Sequence, residues 1–198
     1  MGFLWFKTKK EKQAEEDDGW YKDVAVSEQG WWLRMAVASD LGSVRSNNED
    51  NFLMDGICNE EQAGQYYYEE DQCLDQCRIV AVFDGMGGES SGELASLTAA
   101  KMMGTVASNQ GSADLKTFAK TIKNSFCEIN NRIVEYQNEQ KSMIGTTAVV
   151  VCTDGEEFQV MNCGDSRAYL FREGEISCLT KDHTLASDRI AQGRYSAD

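Results

Sequence analysis

The sequence lacks proline entirely, has one histidine, and is poor in basic residues. Lys and Arg total 19 against 33 Asp and Glu, so that the 198 residues carry a formal net charge of −14 at pH 7. Such an excess of negative charge opposes binding to the phosphate backbone of nucleic acids and to anionic lipid surfaces. We therefore expect no nucleic acid and no membrane among the partners.

Long apolar segments and organised cysteines are missing as well. No stretch approaches the roughly 18 apolar residues that a membrane-spanning helix needs, and residues 1–6 are too short and wrongly flanked for a signal peptide. The seven cysteines are scattered and odd in number, unlike a secreted disulfide scaffold. Cys73 and Cys77 have no second Cys or His pair to complete a zinc site. Reduced thiols in a cytoplasmic protein are the favoured interpretation.

The composition is that of a globular protein, with 41% hydrophobic and 26% charged residues. Residues 1–28 show no sustained apolar period and are interpreted as an N-terminal tail, which leaves residues 29–198 as one domain. Within that domain, residues 55–77 are acidic and rich in tyrosine. We expect them to form an insertion loop exposed to solvent.

Periodicity predicts the main elements before residue 145. Alternation over residues 31–38 predicts a half-buried strand, with residues 51–54 as a candidate partner strand. The apolar run Ile79 to Phe83 is typical of a central strand. Two amphipathic helices follow, the second beginning near Asp114. Their predicted buried positions are Leu94, Ala95, Thr98, Ala99, Met102, Met103 and Val106, and then Leu115, Phe118, Ala119, Ile122, Phe126, Ile129, Ile133 and Tyr136.

The last third of the chain reads as strands separated by turns. Strands are predicted over residues 148–152, 158–162 and 168–171, with reversals at Asp154-Gly155 and Glu173-Gly174 and a short helix over 185–192. Strands, two adjacent helices and then a meander favour an α+β sandwich with antiparallel sheets over alternating βαβ units.

Asp84 ends the central strand and precedes three glycines within four residues. A carboxylate at a strand end is held rigidly, and glycines let a metal ion, a water or a phosphate approach the backbone. An ordinary tight turn explains the glycines equally well. The segment lacks the Gly-Lys-Ser/Thr of a Walker loop.

Three further segments carry polar residues suited to chemistry. Arg45 places a phosphate-binding guanidinium near the oxygen donors of Glu49 and Asp50, although a salt-bridged polar loop is the alternative. Asp165 and Arg167 lie on a tight hairpin, where such a pair is commonly structural. The single histidine, His183, is interpreted as structural when considered alone.

Taken together and in order, these segments resemble the motifs of the metal-dependent protein phosphatase (PPM) family, in particular its bacterial type-2C Ser/Thr branch. The resemblance extends from about residue 35 to residue 193 and implies an αββα sandwich of antiparallel sheets flanked by helices. The matching segments are Arg45-x-x-Asn48-Glu49-Asp50, Asp84-Gly85-Met86-Gly87-Gly88 with Gly92-Glu93, Gly145-Thr146-Thr147, Gly164-Asp165-Ser166-Arg167 and Leu179-Thr180-x-Asp182-His183.

The resemblance implies a metal-dependent enzyme that hydrolyses phosphomonoesters on phosphorylated Ser/Thr proteins, themselves substrates of a Ser/Thr kinase. It implies that Asp84 bridges two Mn²⁺ or Mg²⁺ ions and that Gly85 offers its carbonyl to one of them. Glu49 and Asp50 match acidic residues around that centre, and Arg45 matches the arginine that grips the substrate phosphate. In such enzymes a metal-bridging hydroxide attacks phosphorus.

The sequence departs from the family in two respects near the site. Met86 stands where many eukaryotic members carry a histidine that protonates the leaving group. Asp165 matches an aspartate linked to a third metal ion in bacterial members. Its companion, expected shortly before Gly145, has no match among residues 139–141. We do not expect a stable third ion.

A larger departure concerns the last residues. The family places two further metal-binding aspartates in Asp-Gly and Asp-Asn pairs near its closing strands, and no such pair follows Asp165. We therefore expect the closing strands to be lacking and two ions to be held weakly. Two interpretations are open: a piece of a complete phosphatase, or a naturally short, inactive relative that binds phosphoproteins.

Overall fold

A computed structural model describes residues 2–10, 31–61, 65–87, 92–111 and 113–184. It contains two helices and ten strands in these residues. In chain order they are β1 (Gly2–Lys10), β2 (Trp31–Asp40), β3 (Asp50–Met54), β4 (Gln65–Leu74), β5 (Arg78–Gly87), α1 (Gly92–Ser108), α2 (Leu115–Gln140), β6 (Ile144–Thr146), β7 (Ala148–Thr153), β8 (Phe158–Cys163), β9 (Tyr169–Arg172) and β10 (Glu175–Cys178).

The strands form antiparallel sheets. One sheet has the order β3-β5-β7-β8, and β6 pairs with the last residues of β5. A second sheet has the order β1-β2-β4, and β9 pairs with β10 in a separate hairpin. The apolar run Ile79 to Phe83 lies in β5, between β3 and β7, as its sequence predicted.

Both helices cover one face of the larger sheet. Residues Ile79, Ala81 and Phe83 alternate along β5 and pack in the core formed with the helices. Helix α2 begins as predicted, because the Asp114 carboxylate accepts a hydrogen bond from the Thr117 amide. Its buried residues match the predicted stripe, except that Ser125 is buried while Phe126 and Tyr136 are partly buried.

A second core lies between the two sheets. Alternate residues of β2 face the larger sheet, as the period-2 pattern predicted. The buried members of this core are Leu33, Met35, Val37, Phe52, Met54, Val80 and Val151. The layers therefore run helices, five-strand sheet, three-strand sheet, which confirms the α+β class. The described elements include one helical layer of the implied αββα sandwich.

Two predictions about irregular segments are wrong. Residues 55–77 are not a loop throughout, because β4 pairs with β2 along its length. Residues 1–28 are not a tail throughout, because β1 pairs with the opposite edge of β2. Strand β4 combines three tyrosines with three acidic residues, and β1 combines three aromatic residues with three lysines, so neither shows a clear alternation although its backbone pairs with β2.

Smaller corrections concern pairing and register. Residues 51–54 form β3, but the partner of β3 is β5 and not β2. Helix α1 is rotated relative to the predicted stripe, since Gly92, Ser96 and Ala100 are buried while Leu94 is partly exposed. The helix predicted over residues 185–192 lies outside the described residues. Neither described helix is long and apolar enough to cross a membrane.

Candidate active site

The pairing of β3 with β5 brings two carboxylates together at one end of the larger sheet. Asp50, the first residue of β3, lies directly opposite Asp84 on β5. The Gly85 amide donates a hydrogen bond to the Glu49 carbonyl over 3.2 Å, which extends this pairing by one residue. Residues separated by about 35 positions in the sequence therefore share one site, as their motifs indicated.

The backbone of Asp84 is fixed by two threonines that sequence reasoning treated only as a motif. The Asp84 carbonyl accepts hydrogen bonds from the Thr147 amide at 2.9 Å and from the Thr146 hydroxyl at 3.1 Å. The Asp84 amide donates to the Thr147 hydroxyl oxygen at 3.0 Å. Both polar groups of the Asp84 backbone are thus satisfied, which leaves its exposed side chain to determine the chemistry.

The electrostatic environment of Asp84 disfavours its charged form. Partial burial raises the pKa of this carboxyl above its usual 3.8, and the negative charges of Asp50, Asp165 and Glu49 raise it further. The turn that follows β8 and carries Asp165 lies near the end of β5, since Ser166 Oγ is 2.6 Å from Thr147 Oγ1. A cation bound among these groups would relieve their mutual repulsion.

Gly85 is packed so closely that no larger residue fits. A Cβ atom there would overlap the Gly92 carbonyl oxygen and lie 2.5 Å from the Glu49 carbonyl oxygen. Gly92 is confined in turn, with the Glu49 carboxylate 2.8 Å from the position of its Cβ. The glycines therefore permit close packing of the first turn of α1 against the site, which is a stricter requirement than an ordinary turn.

Arg45 lies at the edge of the site in contact with Glu49. Its guanidinium Nη1 is 3.0 Å from Glu49 Oε2, and the Arg45 side chain is 71% exposed against 15% for Glu49. The predicted proximity of this arginine to acidic groups is confirmed in the case of Glu49. An exposed ion pair of this kind is weak in water, so that the guanidinium is accessible to an anion.

Helix α1 and strand β2 hold the 45–50 segment through two serines outside the motifs, Ser96 and Ser39, and through Asn48 of the first motif. The Ser96 hydroxyl donates to the Glu49 carbonyl at 2.7 Å. The Asn48 amide group donates to the Ser39 hydroxyl at 2.8 Å, while its oxygen accepts from the Asp50 amide. The available sequence signal was Ser96, a polar residue on the otherwise mostly apolar buried face of α1.

The C-terminal motifs contact one another, but the expected Asp165–Arg167 pair does not form. Arg167 forms an ion pair with Asp182 and not with its neighbour Asp165. His183 donates its amide to the Gly164 carbonyl at 2.9 Å and therefore anchors the turn after β8. Gly88 of the glycine-rich segment lies outside the described residues.

The donor set suits a hard divalent cation in part. Carboxylate and carbonyl oxygens are the preferred ligands of Mg²⁺ and Mn²⁺, and the mutual repulsion at Asp84 favours a cation. In the described ranges, however, no three His, Cys, Asp or Glu residues are grouped closely enough to enclose a metal ion. These residues fit one side of a metal centre.

Comparison with known proteins gives consistent matches. Residues 39–189 match the family model described as protein phosphatase 2C. The serine/threonine protein phosphatase PstP of Mycobacterium tuberculosis is 30% identical over 166 residues, which are 84% of this chain and 28% of PstP. The serine/threonine phosphatase stp of Listeria monocytogenes serotype 4b is 29% identical over 81% of this chain and 58% of that protein.

Solved structures show the same fold. The PPM Ser-Thr phosphatase MsPP from Mycobacterium smegmatis, crystallised in complex with cacodylate, is 27% identical with a TM-score of 0.58, over 82% of this chain and 59% of MsPP. The catalytic domain of PstP in complex with two manganese ions is 22% identical with a TM-score of 0.58, over all of this chain and 64% of that one. The chain thus spans under two thirds of each of these relatives.

Proposed function

Because the chain belongs to the protein phosphatase 2C family, we propose that it is a Mn²⁺- or Mg²⁺-dependent protein serine/threonine phosphatase. The observation that supports this proposal is the pairing of Asp50 with Asp84 at the end of β5, beside Glu49 and the exposed Arg45. The substrates would be proteins phosphorylated on Ser or Thr by a kinase. A cytoplasmic location stays a prediction.

The metal-holding residues in this proposal are Asp84, the Gly85 carbonyl, Glu49 and Asp50. Two ions bound there would supply a water of lowered pKa and stabilise the negative charge that develops during phosphoryl transfer. Asp84 would hold such an ion because its backbone is fixed and because a cation would offset the negative charges of its acidic neighbours. Asp165 is the candidate ligand of a third ion, for which no companion residue is identified.

Arg45 is the proposed phosphate-binding residue. Its planar guanidinium can donate two parallel hydrogen bonds to phosphoryl oxygens, and its present partner Glu49 holds it only weakly. By neutralising those oxygens it would stabilise the transition state as well as the bound substrate. Met86 is exposed beside the site and has no group that could protonate the leaving oxygen. A solvent water would supply that proton.

A second candidate function is a phosphoprotein-binding module without turnover. Specific support comes from the absence of a group of three metal ligands among the described residues. In this case Arg45 would still bind a phosphate while the metal-dependent chemistry is lost. The intact Asp50, Asp84 and Gly85 favour the enzyme.

The two candidates are separated by an assay of the protein as its gene encodes it, with Mn²⁺, an aryl phosphate and a phosphothreonine peptide. We expect turnover that is abolished by chelator and reduced at least about 100-fold in kcat/KM by Asp84→Asn. Asp154→Asn is a matched control, because Asp154 lies at the opposite end of β7, where an amide oxygen can still accept the turn hydrogen bonds. Turnover that survives chelator or Asp84→Asn contradicts the mechanism.

The binding-only candidate makes a different prediction. It requires no turnover with any metal but saturable binding of the phosphothreonine peptide. Arg45→Ala should weaken that binding, and Arg132→Ala should not, because Arg132 lies on the exposed surface of α2 in contact with Glu135.

A further inference from the structure

The hydrogen-bond ladder of the larger sheet is altered at one position beside the site. The registers Val82↔Val149 and Gly85↔Thr146 place Thr147 directly opposite Asp84. An antiparallel pair of this kind normally exchanges two backbone hydrogen bonds. The first is present, since the Thr147 amide donates to the Asp84 carbonyl at 2.9 Å.

The second backbone bond is replaced by a side chain. The Asp84 amide donates to the Thr147 hydroxyl oxygen at 3.0 Å instead of to the Thr147 carbonyl. That carbonyl lies 3.0 Å from the Thr146 hydroxyl. The replacement coincides with the interruption between β6 and β7. The position of Asp84 therefore depends on a side-chain hydroxyl as well as on the backbone ladder.

The same hydroxyl reaches the segment that carries Asp165. Thr147 Oγ1 is 2.6 Å from Ser166 Oγ, and a Cβ atom on Gly164 would lie 2.7 Å from the Thr147 methyl group. Since Thr147 Oγ1 already accepts the Asp84 amide, it can still donate its own proton to Ser166 or accept one from it. One threonine thus contacts both carboxylate-bearing segments.

We propose that Thr147 and Ser166 are positioning residues, which hold Asp84 against the turn that carries Asp165 and so fix the Asp84 carboxylate for binding a divalent cation. This inference rests on the proposed function, because it assigns these hydroxyls a role in metal binding. Neither residue touches the reacting atoms.

The physical reason is preorganisation. Asp84 and Asp165 are both acidic, and like charges repel, so the segments that carry them need a fixed contact before a cation arrives. The hydroxyl pair supplies this contact without adding charge, because Thr147 Oγ1 accepts the Asp84 amide and is hydrogen-bonded to Ser166, the residue after Asp165. Loss of outer-shell hydrogen bonds of this kind typically weakens metal binding by about 10–100-fold.

The test is the dissociation constant for Mn²⁺, measured by calorimetry on the full-length protein and its variants. Thr147→Val keeps the shape of the side chain but removes the hydroxyl, and we expect the constant to rise by about 10–100-fold. Thr147→Ser keeps the hydroxyl and should remain within about 3-fold of wild type. Ser166→Ala removes one of the two bonds and should give an intermediate rise.

Thr153→Val is the matched control. Thr153 lies at the other end of β7, where its hydroxyl also accepts a backbone amide, from Gly155, and donates to a carbonyl, that of Glu157. Its loss should lower the thermal midpoint Tm as much as Thr147→Val does or more, and should leave the Mn²⁺ constant unchanged. If Thr147→Val does not fold, Ser166→Ala and Thr147→Ser still decide the question.

The outcomes are distinguishable. Wild-type protein that binds Mn²⁺ with a constant unaffected by Thr147→Val and Ser166→Ala would overturn this inference and leave the proposed function standing. An equal rise in Thr147→Val and Thr153→Val would overturn it as well, since the effect would then be general destabilisation. Wild-type protein without saturable Mn²⁺ binding would overturn the proposed function, and the inference with it.

Discussion

At the scale of single residues, the site depends on the absence of side chains at Gly85 and Gly92 as much as on its charged groups. Gly85 follows the key aspartate, and its backbone lies against the carbonyls of Gly92 and Glu49. Because the interior is close-packed, an atom added at Gly85 would displace the neighbouring backbone. That backbone cannot move without breaking the Gly85–Glu49 hydrogen bond. The residue next to Asp84 is therefore restricted by packing, whether or not its carbonyl binds a metal.

We predict that Gly85→Ala lowers the free energy of unfolding by about 2–4 kcal/mol, because the new Cβ overlaps a carbonyl oxygen that belongs to the first turn of α1. Gly145→Ala is the control. Its Cβ would meet only the flexible Met86 side chain at 3.5 Å, and neither glycine has a positive φ. We expect a cost below about 1 kcal/mol there. Urea unfolding measures both, and equal costs would contradict the packing argument.

At the scale of secondary structure, helix α2 depends on its N-cap residue, Asp114. The Asp114 carboxylate accepts hydrogen bonds from the amide and the hydroxyl of Thr117. These bonds hold the pKa of Asp114 below its usual 3.8. A carboxyl whose pKa is lowered on folding stabilises the protein above its usual pKa, and this stabilisation is lost as pH falls through the lowered value.

We therefore predict that Asp114→Ala lowers Tm by about 2–6 °C at neutral pH, whereas Asp114→Asn, which can still cap the helix, has a much smaller effect. The difference between wild type and Asp114→Ala should shrink below the usual pKa of the carboxyl. Circular dichroism melts at several pH values measure this. A difference that persists unchanged in strong acid would show that the carboxylate charge is not involved.

The sequence predicted elements well where one face is apolar, and poorly where pairing partners are remote. Strand β5 and helix α2 have strong local periodicities, and both were found within a few residues of their predicted bounds. Strand β4 mixes tyrosines with acidic residues, so its pattern indicated a loop, although its partner β2 lies about 30 residues away. Pairing of that kind is a property of two segments and cannot be read from one.

The orientation of α1 shows a second limit. The larger apolar residues, such as Leu94 and Met102, predicted the buried face, but the structure buries Ser96 and Ala100 instead. Small residues let the helix approach the sheet closely, and the Ser96 hydroxyl is needed at the Glu49 carbonyl. The candidate site residues were predicted from the order of their motifs and stay a prediction, whereas the hydroxyls that contact them required the three-dimensional structure.

At the scale of the whole molecule, the excess of negative charge and the acidic site act in the same direction. A net charge of −14 repels anionic ligands and attracts cations at long range. At the site itself, partial burial of Asp84 and the negative charges of its acidic neighbours raise the pKa of its carboxyl, so that ionisation is disfavoured in the folded state. A raised acid pKa contributes stability at low pH, and this contribution is lost as pH rises through the folded value.

A divalent cation bound at Asp84 should restore the stability that is lost when this carboxyl ionises. Screening of the negative charges by salt should account for only a small part of the gain. We predict that about 1 mM MnCl₂ raises Tm by about 2–5 °C near neutral pH, as mass action requires of a weak site. NaCl of equal ionic strength should raise Tm by less than about 1 °C, because so little salt leaves a long Debye length.

The excess shift caused by MnCl₂ should decrease as pH falls toward the raised pKa of Asp84, where protons compete with the cation. Asp84→Asn should abolish the excess but keep the small NaCl effect, and equal shifts in wild type and Asp84→Asn would show that the ion binds elsewhere.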